Sequence, residues 1–463
     1  MSTPFLDGQR LRTRAVTLAA ALVLGVGTTV AGSVGGLPPA VPPTEAVPAA
    51  ALPSDEAALV SALANLRDGR LDDALAVLAA LVESSPDSRV AQLMYGDLLS
   101  AKYRMLAGLG DVVGARGARP TALYDEARSR LRHAARLPPP GHLPGNLLKL
   151  GPGQTHAIVV DVSASRMYVF ERADGRLQLV RDRYVSTGRN GAPKRLEGDQ
   201  RTPVGVYFTV GRLPATELAD FYGPAALPVT YPNDWDDRHG RTGYGIWLHG
   251  VPGGTSVRPP RASDGCLVVS NPDMRDLVEL IESVGTPVVI AERVRWEAPE
   301  EVERRAAEIE AAISAWSSDW AHVAHQAYSD HYHAPDQRVD ALVRSLSQDT
   351  REACEPVALL RATSDGADGQ TRPLDQQGVD APQRCRQGAI TDLSIFAYPG
   401  EPDTVMVTFQ EDPRDTLSDD EGRRRQYWRR GDDGRWRILF DDTVRPRPEH
   451  LRGIPYSARS ALD

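Results

Sequence analysis

Between residues 138 and 155 the chain is crowded with proline and glycine (Pro138-Pro139-Pro140-Gly141, Pro144-Gly145, Gly151-Pro152-Gly153), and its hydrophobic period changes across that stretch. Neither a helix nor a central strand accommodates so many breakers, so the stretch is a boundary between two kinds of structure. Before it, Leu59, Leu63 and Leu66 recur at helical spacing and Asp68-Gly69 interrupts them. Leu71, Ala74, Leu75, Leu78 and Leu81 then fall on one face of a second helix, closed by Ser84-Ser85-Pro86-Asp87. After the boundary come short β-branched and aromatic runs at 157–162, 166–171, 177–185, 205–210, 245–248, 266–269 and 288–291. Glycine and proline punctuate them, which predicts a mostly-β segment. Only 271–284 reads as a helix there, with Pro272 and Asp273 in its first turn and Leu277, Leu280 and Ile281 on one face.

Past Trp296 the pattern changes again. Residues 300–332 alternate acids, arginines and alanines, with Ile309, Ile313, Trp316 and Trp320 on a shared helical face, and strand-like runs return at 389–397, 404–410, 425–430 and 436–440. At the other end, Arg10, Arg12 and Arg14 precede the apolar run 15–31, which ends in the small residues Thr29-Val30-Ala31. That pattern fits a secretory signal peptide, or an uncleaved membrane anchor because the run approaches the length of a span. Residues 32–53 are rich in Pro, Ala and Gly without periodicity and read as an extended tether. The expected order is therefore a targeting segment (1–31), a linker (32–53), a helical domain (54–137), a mostly-β domain (150–293) and an α+β domain (300–445). The fold class is multidomain α+β. A formal charge of −9 over 463 residues leaves no overall basic footprint for nucleic acid.

Chemistry concentrates where Trp247-Leu248-His249-Gly250 is followed, seventeen positions past the histidine, by the cysteine of Ser263-Asp264-Gly265-Cys266. A thiol attacks as thiolate, and an imidazole beside it takes its proton and steadies the anion. Glycine before the cysteine allows close backbone approach to a substrate carbonyl, with N–H groups placed for an oxyanion. The alternatives are an inert buried thiol for Cys266 and a satisfied core histidine for His249. Only three cysteines occur in the chain, which weighs toward chemistry. Cys354 and Cys385 are the other two, and a disulfide between them would leave Cys266 as the odd thiol. His322, His325, His331 and His333 form close pairs but lack a second cluster at metal-site spacing, so no metal and no cofactor are expected.

These residues resemble the signature of the L,D-transpeptidase (YkuD-type) family of peptidoglycan enzymes. The resemblance extends to Gly198-Asp199-Gln200-Arg201-Thr202-Pro203-Val204-Gly205-Val206-Tyr207, to His156-Ala157-Ile158-Val159-Val160-Asp161 and to Arg166-Met167-Tyr168-Val169-Phe170. Two positions depart from it: Asp264 stands where the family has His or Arg, and Val268 where Asn or Arg follows the cysteine by two. The resemblance implies Cys266 as nucleophile, His249 as base, a backbone carbonyl at Gly250 orienting the imidazole, and oxyanion N–H groups from Gly265 and Cys266. The segment from Gly69 to Pro86 resembles part of a tetratricopeptide-type hairpin. Such a unit needs further helices, a second protomer or a protein partner to cover its face. The C-terminal segment resembles a nuclear-transport-factor-2-type α+β cone, and the module order resembles bacterial cell-shape L,D-carboxypeptidases.

The implied substrate is a peptidoglycan stem peptide, outside the cytoplasm, in the periplasm or cell envelope. Arg241, Arg258 and Arg261 are candidates to pair with its carboxylates, and Tyr244 and Trp247 to wall the cleft. Ser263 and Asp264 complete the candidate binding set. A carboxylate facing the sulfur would raise the thiol's pKa, so Asp264 is expected to point away and pin its loop through Arg261 or Arg258, or to contact a substrate ammonium. The expected reaction is transpeptidation through a cysteine thioester. L,D-carboxypeptidation shares its first half, and a non-catalytic wall-binding scaffold is the reading from another class.

Overall fold

In the computed structural model the described residues are 54–104, 118–255, 258–321, 331–332, 390–410, 423–443 and 450. The targeting segment and tether, Cys354, Cys385, His322, His325 and His333 lie outside them. The chain divides into two compact units: Met1–Pro144 with Thr155–Trp296 and Pro446–Asp463, and Gly145–Gln154 with Glu297–Arg445. Among the described residues no helix is long and apolar enough to cross a membrane.

The first unit begins with helices α1 (Ser54–Arg67), α2 (Leu71–Ser84), α3 (Arg89–Ala101) and α4 (Ala118–Ala134). Gly69, at φ +78°, makes the turn between α1 and α2 that the Asp68-Gly69 break predicts. Ala74, Leu75, Leu78 and Leu81 of α2 are buried, as their spacing requires. They share a core with Leu59 of α1, with Val90, Met94 and Leu98 of α3, and with Ala127 of α4. The apolar face of the α1–α2 hairpin is thus covered by helices of the same chain.

Nine of the strands that follow build two sheets: β1 (His156–Asp161), β2 (Arg166–Ala173), β3 (Arg176–Tyr184), β4 (Gly205–Phe208), β5 (Leu213–Pro214), β6 (Ala225–Pro228), β7 (Trp247–His249), β8 (Leu267–Val268) and β9 (Pro287–Ala291). One sheet has the order β3-β2-β1-β9-β4, with β1 and β9 parallel and the rest antiparallel. The other has the order β8-β7-β6-β5, with β7 and β8 parallel. Ile158, Val160, Met167 and Val169 from the first sheet meet Leu227, Leu248 and Leu267 from the second in one core. Helix α5 (Asp234–Arg238) lies between β6 and β7 in sequence. Helix α6 (Asn271–Leu280) adds Met274, Leu277 and Val278 to the same core. The α6 helix stops earlier than its apolar spacing predicts, because Ile281 turns extended (φ −107°, ψ 157°) while staying buried in that core.

A buried ionic network ties the helices to the first sheet. Arg166 on β2 is fully buried and donates through Nε to Asp182 Oδ1 at 2.7 Å and through Nη1 to Glu56 Oε2 of α1 at 2.7 Å. His133 Nε2 of α4 lies 2.6 Å from Asp182 Oδ2. Arg130 pairs with Glu56 and stacks 4.3 Å over the Tyr184 ring. Burial works against the Glu56 carboxylate, but Arg166 and Arg130 outweigh it and hold its pKa below the ordinary value.

The second unit carries helix α7 (Pro299–Ala321) and strands β10 (Thr391–Ala397), β11 (Thr404–Gln410), β12 (Arg424–Arg430) and β13 (Trp436–Thr443). They form an antiparallel meander in the order β13-β12-β11-β10, extended by the short strand Leu147–Lys149. Trp316 of α7 packs on Phe409 and Trp428, at 5.9 Å and 6.3 Å between ring centroids.

Candidate active site

The parallel register of β7 and β8 places Leu248 beside Leu267 and His249 beside Val268. Both leucines face the inter-sheet core. Side chains alternate along a strand, so Trp247, His249 and Val268 lie on the opposite face of the sheet, and Cys266, one step before β8, joins them. There Cys266 packs against Leu213, Ala226 and Trp247, with Leu218 and Tyr222. The histidine and the cysteine therefore share one face of adjacent strands, offset by two positions.

His249 is buried, at 1% exposure, and its Nδ1 lies 2.7 Å from the Gly250 carbonyl oxygen, the acceptor that the resemblance implied. A neutral imidazole meets that geometry with Nδ1 protonated, which leaves Nε2 as the nitrogen for proton transfer. Three contacts hold the carbonyl's peptide in place. Gly250 N donates to Tyr222 O at 3.0 Å, Val251 N donates to Asn271 Oδ1 at 2.8 Å, and Val269 N donates to His249 O at 3.0 Å. A Cβ on Gly250 would sit 2.4 Å from Asn271 Oδ1, so only glycine fits. Tyr222 lies edge-on to the imidazole at 5.0 Å and against Trp247 at 4.9 Å, while Phe221 stands 6.1 Å from the imidazole.

The loop before Cys266 is built by Ser263. Its hydroxyl donates to Cys266 O at 2.7 Å and accepts from Gly265 N at 3.1 Å. Two expectations change as a result. Ser263, 2% exposed, shapes the loop rather than offering its hydroxyl to a ligand, and the Gly265 N–H is already engaged, so it is not an open oxyanion donor. Gly265 itself is required by space: its φ is +129°, and a Cβ there would lie 2.7 Å from Arg201 O. Thr202 secures the loop from below, donating to Gly265 O at 3.0 Å and accepting from Gly188 N at 2.8 Å. Arg201 and Thr202 follow a turn organised by Asp199, which accepts from Arg195 N (2.7 Å), Leu196 N (3.0 Å), Arg201 N (3.0 Å) and Lys194 Nζ (2.9 Å). Partial burial opposes the Asp199 charge, but these donors outweigh it and hold its pKa at about 2.

The pair rests neutral. Burial pushes the Cys266 thiol up to about 11, against the opposing pull of the Trp247 backbone N–H and the Arg258 charge. Burial likewise pushes His249 down to about 4; the Gly250 bond works the other way, and Arg258 adds to the lowering. The sequence suggested a sulfur ionised beside its imidazole. The buried imidazole and the partly buried thiol instead favour the neutral pair, because both charged forms lose water there.

The remaining candidates separate. Arg258 is half-buried, with its guanidinium 4.2 Å over the Phe221 ring and its charge acting on both Cys266 and His249. Arg241 is engaged elsewhere: its Nη1 donates to the buried Asp236 at 2.9 Å and to Val204 O at 3.3 Å. Arg261 is exposed at the start of the strand Arg261–Ser263, which pairs with Thr187–Gly188. Trp247 is 4% exposed and underlies the site instead of walling it, whereas Tyr244 is 41% exposed beside Gly245, whose carbonyl accepts from Cys266 Sγ at 3.5 Å. Asp264 pins its loop, but through Arg189 (2.8 Å) and Gln200 Nε2 (3.3 Å) rather than Arg261 or Arg258. Sequence reasoning missed Phe221, Tyr222 and Asn271. The two aromatics sit in the single 3-10 turn Asp220–Tyr222, which leaves no periodic signal, and Asn271 reads only as the first residue of a helix.

No curated protein matches the chain. Among solved structures the chain is similar to Bd1075 of Bdellovibrio bacteriovorus, at 22% identity and a TM-score of 0.50, over 65% of this chain and 98% of that one. It is also similar to the helical cell shape determining protein Pgp2 of Campylobacter jejuni, at 19% identity and a TM-score of 0.47, over 64% of this chain and 95% of that one. Residues 155–290, which carry both His249 and Cys266, match the family model of the YkuD L,D-transpeptidase catalytic domain.

Proposed function

We propose that the protein forms a thioester on Cys266 from peptidoglycan tetrapeptide stems and passes the acyl group to an amine, as an L,D-transpeptidase. The observation that carries this reading is the His249 Nδ1–Gly250 O bond, which fixes an imidazole with Nε2 unprotonated on the face shared with Cys266. His249 takes the thiol proton as the sulfur attacks the carbonyl at the L-centre of the third stem residue. The Cys266 N–H holds the oxyanion, since Gly265 N is engaged by Ser263. The imidazolium then protonates the departing amine of D-alanine, leaving the thioester. The arginine-led apolar run at the N-terminus supports export to the cell envelope.

A second reading is L,D-carboxypeptidation, with water as the acceptor. Val268 favours it: a fully buried apolar side chain sits beside His249 where the family resemblance implies Asn or Arg. Incubation with disaccharide-tetrapeptide, read by mass spectrometry, separates the two. Cross-linked products support transpeptidation, and tripeptide alone supports trimming. A carbapenem adduct on the wild type that is missing from Cys266→Ala ties either outcome to the sulfur; no adduct on the wild type would remove both.

A further inference from the structure

The group that orients His249 is a backbone carbonyl, and it belongs to a glycine. Gly250 has no Cβ to restrict its torsions, so the peptide joining it to Val251 has to be fixed from outside. That peptide is one planar unit with an acceptor on one edge and a donor on the other. Gly250 O faces His249 Nδ1 at 2.7 Å, and Val251 N donates to Asn271 Oδ1 at 2.8 Å. The unit turned over would present its N–H to the imidazole. The ring would then carry its proton on Nε2, where it could not take one from the Cys266 thiol.

The carboxamide oxygen of Asn271 is held unusually closely. A Cβ on Gly250 and a Cβ on Gly223 would each lie 2.4 Å from it, so two bare glycine backbones close on the same atom. Gly223, at φ +73°, ends the 3-10 turn whose Tyr222 carbonyl accepts from Gly250 N. Asn271 itself opens α6, and that end of the helix is rigid. Ser270 Oγ donates to Asp273 Oδ2 at 2.6 Å and accepts from Asp273 N at 3.2 Å. Arg183 of β3 grips Asp273 Oδ1 at 2.8 Å, and Arg181 grips Asp276 through Nε at 2.7 Å and Nη2 at 2.9 Å. Asn271 also lies only five positions past Cys266, on the same segment running through β8. One stretch of chain thus carries the thiol and fixes the partner of its base.

We propose that Asn271 is a positioning residue for the base, locking the Gly250–Val251 peptide so that the His249 proton stays on Nδ1 and Nε2 faces the sulfur side unprotonated. The proposal rests on the acyl-transfer reading above and adds a residue that acts through the backbone, without touching the imidazole or the substrate. An acceptor on the peptide N–H also polarises the carbonyl opposite, which strengthens its hold on the ring.

The test uses the full chain as wild type, Asn271→Ala and Asn271→Asp, the last keeping an acceptor oxygen of the same reach. In [15N]histidine-labelled protein, long-range 1H–15N spectra at neutral pH report the tautomer of His249, whose signal is identified by its loss in His249→Asn. The wild type and Asn271→Asp are expected to hold the proton on Nδ1, and Asn271→Ala to populate the Nε2–H form. On disaccharide-tetrapeptide, D-alanine release should show kcat lowered about 10- to 100-fold in Asn271→Ala with KM little changed, and largely recovered in Asn271→Asp. If Asn271→Ala melts below the assay temperature, Asn271→Ser replaces it, its hydroxyl being one bond short of the carboxamide oxygen. An Nδ1–H tautomer retained in the variant lacking the acceptor would overturn the assignment, whether kcat is unchanged or falls only with the melting temperature. A wild type that releases no D-alanine while its tautomer still depends on Asn271 would remove the acyl-transfer reading and leave the positioning role standing.

Discussion

The protonation state of the Cys266–His249 pair yields a quantitative expectation. With the thiol at about 11 and the imidazole at about 4, roughly one molecule in ten thousand carries thiolate at pH 7. An ordinary cysteine near 8.5 is a few per cent thiolate at that pH. Iodoacetamide should therefore alkylate Cys266 two to three orders of magnitude more slowly than a free thiol, with a rate that climbs until pH is close to 11. The measurement is the pH dependence of alkylation of the Cys266-bearing peptide by mass spectrometry, which also separates it from Cys354 and Cys385. His249→Asn decides the cause. If burial sets the thiol, removing a neutral imidazole leaves the midpoint nearly where it was, whereas a resting thiolate–imidazolium pair would lose its stabilising cation and the midpoint would rise steeply. A wild-type midpoint below about pH 8 that rises by two or more pH units in His249→Asn would refute the neutral resting state.

Gly265→Ala forces a Cβ against Arg201 O from a left-handed backbone, and should cost ~2 kcal/mol or more and most of the activity, read by thermal melting and peptide turnover. Asp199→Asn should lower stability by about 1–2 kcal/mol at pH 7, a figure reduced for the residual exposure of the carboxylate. Because the Asp199 pKa is depressed, its contribution is present above about pH 4 and is lost as pH falls through about 2. Denaturant titrations of wild type and variant should accordingly converge across that window. Arg166→Met strands Glu56 and Asp182 in the interior and should cost about 3–5 kcal/mol, visible as a melting temperature lowered by some 10 °C.

The sheet strands were legible because their residues carry the period or the unbroken apolar run of their burial: Ala157, Ile158, Val159 and Val160 are all fully buried in a parallel pair. Strands of two residues, such as β5 and β8, hold too few positions to show a period and exist because a neighbouring strand pairs with them. The candidate nucleophile and base stood out in the sequence because histidine-glycine and glycine-cysteine are placements with a chemical reason. What surrounds them was not. Arg241 and Arg258 look alike in sequence, yet one answers the buried Asp236 five residues away and the other has no such acid among the described residues. Ser263 reads as a polar residue on an active-site loop; only the folded turn shows its hydroxyl closed between Gly265 N and Cys266 O. Burial of the thiol likewise depends on Trp247, Tyr222 and Leu213, drawn from three separate segments.

The guanidinium inside β2 finds its counter-charges on β3 and, across 110 residues of chain, on the first helix. A fragment beginning at the first strand would carry that cation with half its anions missing, next to an Asp182 that has also lost its histidine. Excising the sheets as a stand-alone domain would therefore open a hole in their electrostatics far from the candidate site. The same hole would loosen Tyr184, which Arg130 covers and which holds the Arg258 carbonyl, so a cut made for convenience at one end would be felt at the cleft.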